Sequence, residues 1–537
     1  MRTLFLLFLL SAELVYAQAW PQVQFFSNEG DTELRKLCRR AGGGYAAAGI
    51  YAGDFGLPPN APAAGQTDLF VMGVGDDLQP EWWFTAGDTE DDEVTALESM
   101  PNGDLLLAGS FWFSLPLPDT TLLTENSPRA LFVARLTETG ALRWAQKISG
   151  DGLKDVRSLH PRPDGSFVVG GYFQHSLQLG DSLLISAGEP GSTSFFLAAM
   201  DGEGQLLWVQ QAGQTGDTRI EALAVGPDGQ ISAGGTFNGT VEIAGSAFDA
   251  GLLDTDVFVA AFSESGTPLW AKDAGGVIED RLNAVAVDET GNIYLAGDII
   301  GVMNISDEIS IESSTGNADV FLIKYQADGQ PLWARAFGGP DVQSGNALAV
   351  AEGVVAVGGN FQGPISIDGQ SADTGDMSTP WGYIAGFNTS GENRWLEAIP
   401  SERFALVRDL EFTAERSLLS AGAYRLSATF GGITDEISGF GGFLAELSGQ
   451  ITPAPEQQLA PLSCTVFPNP TTDAWTVEWP YAETAVLRLM SSNGQQQLRM
   501  ELRPGMNQLP ARQLRAGMYT VQIRSGKRAV SRLVIKL

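Results

Sequence analysis

The chain has 537 residues and carries 64 Asp and Glu against 32 Lys and Arg, a formal net charge of −32. Such an acidic excess argues against nucleic acid and anionic membranes as partners, because phosphate contacts need Lys and Arg. Two cysteines and two histidines leave no stock for a disulfide framework, a zinc cluster or a serine–histidine triad.

Residues 1–17 open with Arg2, continue through the apolar run from Leu4 to Leu10, and end on Val15, Tyr16 and Ala17 before Gln18. This pattern predicts a signal peptide, since its apolar core is too short to span a bilayer. No later segment reaches about 18 uninterrupted apolar residues, so no transmembrane segment is expected after its removal.

From there a repeat governs the chain. Trp83, Trp144, Trp208, Trp270, Trp333 and Trp395 recur at gaps of 61, 64, 62, 63 and 62 residues. Gly49, Gly109, Gly171, Gly235, Gly297, Gly359 and Gly422 keep the same beat, as do Phe70, Phe132, Phe196, Phe258, Phe321, Tyr383 and Phe443. A fixed period of this kind marks a repeat architecture, here of seven units. The unit around Trp270 reads as four strands, at residues 221–225, 231–237, 257–262 and 268–272, with tight turns at Pro227-Asp228-Gly229 and Ser265-Gly266. A polar stretch of about twenty residues separates the second strand from the third. The pattern predicts an all-β fold, a seven-bladed β-propeller over residues 18–447. A parallel β-helix has shorter coils and lacks this alternation of tight turns with long loops. The chain enters at Val23-Gln24-Phe25-Phe26, which reads as a fourth strand with Phe25 at the tryptophan position. It leaves at residues 442–447 on a third strand, so one blade takes its outer strand from the N-terminus and both bare edges are paired.

The runs Asp319-Val320-Phe321-Leu322-Ile323-Lys324 and Gly291-Asn292-Ile293-Tyr294-Leu295-Ala296-Gly297 resemble the bacterial SBBP β-propeller repeat. That resemblance implies the fold and leaves function open. The spacing of Ala134, Thr139, Gly140 and Trp144 is similar to the tryptophan-docking motif of quinoprotein dehydrogenases. The usual aspartate is Leu136 here and no adjacent cysteine pair exists, so the tryptophans are read as core between blades. Sialidase-type Asp boxes fail because Gly140 and Trp144, like Gly266 and Trp270, are one residue too far apart. His160 and His175 fall in no motif.

Strand parity places the second-to-third loops and the blade-to-blade links on one face, the other holding tight turns such as Pro163-Asp164-Gly165. Candidate binding residues on the long-loop face are Asp88, Asp91, Asp92, Glu93, Asp155, Asp217, Asp254, Asp256 and Asp280. Calcium is the one cofactor this acidity suggests, although the spacing from Asp88 to Glu93 departs from an EF-hand loop and would need ligands from neighbouring loops. No catalytic residue is assigned. The leading expectation is a surface or released binding protein with a protein or glycan ligand, and the alternative is a glycan- or polysaccharide-active enzyme using loop carboxylates.

Residues 448–462, with Pro453 and Pro455, read as a stiff linker. From Ser463 onward there are ten Lys and Arg against four Asp and Glu, a net of +6, and the remainder of the chain carries −38. Opposite charge suggests a second domain, a small β-sandwich over residues 463–537. Cys38 and Cys464 are expected to be unpaired. The segment carries Pro468-Asn469-Pro470, Ser491-Ser492-Asn493-Gly494, then Gly517-Met518-Tyr519, and a final strand bearing Lys536. In this order they resemble the type A C-terminal sorting domain of the type IX secretion system of Bacteroidetes-type bacteria. The resemblance implies export through the periplasm, type IX machinery as the partner of residues 463–537, and a secreted or outer-membrane-surface location.

Overall fold

The computed structural model describes residues 18–26, 30–54, 63–124, 127–186, 190–213, 215–375, 377–449, 464–481, 484–491, 496–525 and 528–537. The predicted signal peptide, most of the predicted linker and Gly494 lie outside them. Every regular element among the described residues is a β-strand. The chain divides into two compact units, with described residues 18–449 in one and 464–537 in the other.

The first unit contains seven four-stranded antiparallel sheets. Sheet 1 runs Asp31–Arg39, Tyr45–Ala52, Asp68–Val74 and Pro80–Ala86. Sheets 2 to 6 begin with Glu93–Ser99, Lys154–Pro161, Thr218–Val225, Arg281–Val287 and Gln343–Ala351. Sheet 7 runs Phe404–Phe412, Leu418–Phe430 and Ile433–Ser448, and its fourth strand is Ala19–Phe26. Each sheet's first strand packs against that of the next, and Phe404–Phe412 packs back on Asp31–Arg39. Third strands such as Asp68–Val74 and Asp319–Tyr325 are buried throughout. Their near-continuous apolar sequence follows from being covered on both faces.

The seven recurrent glycines have one cause. In every first strand the register slips by one residue opposite the glycine, as between Leu34 and Lys36 against Gly49 and Ala48. The same slip recurs in the other six sheets. A Cβ on any of the seven glycines would lie within 2.0 Å of a first-strand carbonyl oxygen, so only glycine permits the kink.

Three local readings change. In sheet 1 it is Trp82, paired with Gly73, that holds the register Trp144 holds opposite Arg135. Two adjacent tryptophans hid the offset, and the true series starts at Trp82. In sheet 7 that register belongs to Gln22, opposite Glu446, while Phe25 lies opposite Phe443 and packs on Tyr424 and Phe430. In sheets 2 to 7 the polar stretches between second and third strands are not loops but hairpins. Sheet 4 extends its own strands, Ile231–Ile243 and Ser246–Phe262. Sheet 3 adds Ser176–Leu179 and Ser182–Ile185, whose Gln178 bridges Ser149 at the end of the preceding sheet.

The tryptophans clasp neighbouring sheets. Nε1 of Trp144, Trp208, Trp270 and Trp333 donates to Gly202, Glu264, Ala327 and Thr389 in the third-to-fourth turn of the next sheet, at 2.9–3.3 Å. Their rings lie on turn glycines, for example Trp270 on Gly329, where φ is +83°.

The second unit has two sheets that share a core of Trp475, Trp479, Leu487, Leu489 and Val521. Asn469 Oδ1 accepts from Ile535 N at 2.7 Å, and Thr471 exchanges backbone bonds with Ile535 and Leu537, tying the Pro-Asn-Pro segment to the strand Arg528–Lys536. Tyr519 donates to Arg515 O at 2.9 Å. Cys38 and Cys464 are both buried and free.

Candidate functional site

A register slip inserts one extra residue into a strand and turns its side chain out of the ladder. The seven extra residues are Arg35, Thr95, Arg157, Glu221, Asn283, Asn346 and Arg408, all polar. All seven line one cavity of about 300 Å³. A second cavity of about 440 Å³ continues from it between the first strands of all seven sheets. The slips sit early in those strands, so the seven side chains form the mouth on the face of the inter-sheet links and hairpins.

Every guanidinium of the mouth is matched by a carboxylate. Arg35 meets Glu33 at 3.1 Å and Glu93 at 3.4 Å, and Arg408 meets Glu33 at 2.6 Å. Arg157 meets Glu221 at 2.8 Å and Asp155 at 3.6 Å. Asn283 donates to Gly345 O at 3.0 Å. Deeper in the cavity lie Lys36, Glu98, His160, Asp409 and Glu411. Burial, reinforced by Asp409, pushes the Glu411 carboxyl up to about 8, and burial holds His160 below the ordinary imidazole range.

Two pockets flank the mouth. One of about 440 Å³ shares Arg157, Glu221 and Asn283 with it and extends over Asp217, Arg219, Asn238 and Glu279. The other, of about 260 Å³, shares Arg408 and is formed by Ile50, Phe404 and Phe440 among others.

The predicted acidic residues separate into two groups. Glu93 lines the mouth, Asp155 pairs with Arg157, and Asp217 stands in the flanking pocket bonded to Arg219 at 2.7 Å. The others serve the links. Asp92, fully buried, accepts from Asp88 N at 2.8 Å and Trp112 N at 3.0 Å, and burial pushes its carboxyl up to about 7. Asp91 accepts from Thr67 at 2.6 Å, and Asp88 accepts from Ser114. Asp254 caps Thr255 N at 2.8 Å. Asp256 is buried against Gly275, where a Cβ would stand 1.9 Å from its Oδ1, and its carboxyl is pushed up to about 6 by burial. Asp280 accepts from Ile300 N at 3.3 Å, and burial, with Asp256 and Asp254 nearby, pushes its carboxyl up to about 8. Among the described residues no three His, Cys, Asp or Glu side chains are arranged to hold a metal ion.

The seven bulged residues are not among those expected from the sequence. Their signal was a break in alternation, since Leu34 and Leu37, Val94 and Leu97, Val156 and Leu159, Ile220 and Leu223 are three apart where a flat strand would space them by two.

Residues 465–536 match the family model of the secretion system C-terminal sorting domain. That domain indicates secretion through the type IX system, to the cell surface or the extracellular space. Over 379 residues the chain is 21% identical to the uncharacterized WD repeat-containing protein L264 of Acanthamoeba polyphaga mimivirus, covering 57% of this chain and 27% of that protein. It is 31% identical over 158 residues to the regulatory protein FlaEY of Caulobacter vibrioides, covering 27% of this chain and 17% of that one. The chain thus spans well under half the length of these relatives. Among solved structures, Sqt1 from Chaetomium thermophilum is similar over 76% of this chain and 86% of its own at 14% identity, with a TM-score of 0.36. No helix among the described residues is long and apolar enough to cross a membrane.

Proposed function

We propose that the seven sheets are the blades of a closed seven-bladed β-propeller of SBBP type, spanning residues 18–447 behind a signal peptide of residues 1–17. Residues 448–462 link it to the sorting domain, residues 463–537. The cyclic packing of first strands and the sheet shared by both ends of the propeller support closure. In this reading the propeller is an exported binding protein, and its ligand seats at the mouth of the axial cavity.

The observation that carries it is the seven-fold bulge. Each blade turns one polar side chain toward a single cavity, and a concave site with convergent polar groups is where ligands bind. Crystals of the full chain soaked separately with short peptides, oligosaccharides and calcium test it: ligand is expected in the mouth. Ligand seated only on the turn face or the outer rim overturns the reading. Export is checked independently by cell fractionation, where a chain ending at Gly449 is expected to stay in the periplasm.

A further inference from the structure

We infer that the ligand of this mouth is an uncharged oligosaccharide, laid across it from the pocket of Phe404 and Phe440 to the pocket of Asn283 and Arg219. The inference rests on the binding reading above. Three observations point to it. First, each guanidinium of the mouth already faces a carboxylate, Arg35 and Arg408 sharing Glu33, and Arg157 holding Glu221 and Asp155. An anion or a cation drawn to these guanidinium–carboxylate pairs would have to dismantle one of them, at the cost of leaving a charge unpaired. A hydroxyl both donates and accepts, so it adds to a guanidinium–carboxylate pair without breaking it.

Second, a donor, an acceptor and a side chain that is both follow one another over sheets 3 to 5, as Arg157, Glu221 and Asn283, which the central cavity shares with its larger flanking pocket. A row of hydroxyls and ring oxygens is matched by such a succession, and bidentate side chains read neighbouring hydroxyls in pairs. Third, the tract ends in an apolar wall. Phe404 and Phe440 meet edge to face at 6.3 Å, and Arg425 lies 5.1 Å above the Phe440 ring, fixing it in place. A half-buried, immobilised aromatic offers a flat platform to the C–H face of a pyranose. In sheet order this platform, between sheets 7 and 1, lies across the mouth from the polar pocket over sheets 3 to 5. A ligand touching both is therefore extended, several sugar rings long.

The test is titration calorimetry of the full chain against cello-, xylo-, manno- and laminarihexaose, an oligogalacturonate of the same length, and an acidic and a basic hexapeptide. At least one neutral hexasaccharide is expected to bind, with an affinity that changes less than about twofold between 0.05 and 0.5 M NaCl. Phe440→Ala and Asn283→Ala, substitutions at opposite ends of the tract, should each weaken it about tenfold or more while leaving the melting temperature within a few degrees. A shorter disaccharide should lose the effect of one of the two. Binding of the oligogalacturonate or a peptide alone, lost at high salt and sensitive to the same substitutions, overturns the sugar assignment and leaves the mouth as a binding site. Binding of no probe, or binding indifferent to both substitutions, overturns the inference.

Discussion

Burial makes several carboxylates of the first unit unusually basic. Asp280 is the clearest, fully buried with its carboxyl raised to about 8, and Glu411, also about 8, Asp92, about 7, and Asp256, about 6, follow. In the unfolded chain such groups titrate near 4. Between those limits the native state holds more protons than the unfolded one, so these groups stabilise the fold fully below pH of about 4 and lose that contribution as pH rises to about 8. Thermal unfolding followed from pH 5 to pH 8.5 should show a falling melting temperature. Asp280→Asn keeps the acceptor for Ile300 N and removes the titrating charge. It should be nearly neutral at pH 5 and stabilising by about 1–3 kcal/mol at pH 8.5; an equal effect at both pH values would show that Asp280 does not titrate in this range. A Cβ on Gly297 would stand 1.9 Å from Arg281 O. Gly297→Ala should cost about 2–3 kcal/mol in urea unfolding, and because the flattened strand turns Asn283 away it should also reshape the mouth. The recurrence of these glycines was plain in the sequence, whereas their purpose was not. A glycine reports that backbone comes close, and only the register of the facing strand shows that the approaching carbonyl belongs to a bulge.

At the scale of elements, each fourth strand of sheets 2 to 5 does two jobs. It closes its own sheet, and its tryptophan reaches the next one, as Trp270 does through a 2.9 Å bond to Ala327 O and contact with Gly329. Trp270→Phe should keep most of the apolar contact and lose about 1 kcal/mol with the hydrogen bond, and Trp270→Ala should lose about 3 kcal/mol, both read from denaturant midpoints at unchanged slope. A Trp270→Phe variant as damaged as Trp270→Ala would mean that the N–H, not the ring, carries the clasp. The four-strand unit and its tight turns were legible because apolar runs and Gly-containing turns fall at fixed offsets. The hairpins were not, since strands of four residues such as Ser114–Leu117 alternate only once or twice and are half exposed. In the acidic loop at Asp88 to Glu93 the sequence shows the carboxylates but not the backbone N–H of Trp112 or the hydroxyl of Thr67, which engage Asp92 and Asp91.

For the whole molecule, the proposed ring depends on one joint that no other sheet has. Ala19–Phe26 pairs with Ile433–Ser448 from Phe26 opposite Gly442 to Ala19 opposite Ser448, joining segments more than four hundred residues apart. Trp20 and Phe26 are buried there, and Trp20 meets Phe430 edge to face at 4.9 Å. Each buried aromatic contributes roughly 2–3 kcal/mol, so the joint is worth on the order of 5 kcal/mol, comparable to the whole net stability of a domain. A chain lacking residues 18–26 should therefore melt far lower or aggregate through the bare edge of Ile433–Ser448. Loss of an essential core strand would give the same result whether or not the ends matter. A circular permutant separates the two cases: moving residues 19–26 to follow Ser448, through a tight turn like those of the other sheets, restores every pairing and shifts the seam to the link between sheets 7 and 1. Closure by pairing predicts that this permutant regains the melting temperature of the parent within a few degrees. Recovery of less than half the lost stability would show that the N-terminal strand acts through its own attachment to sheet 1, and the joint would not be what holds the ring.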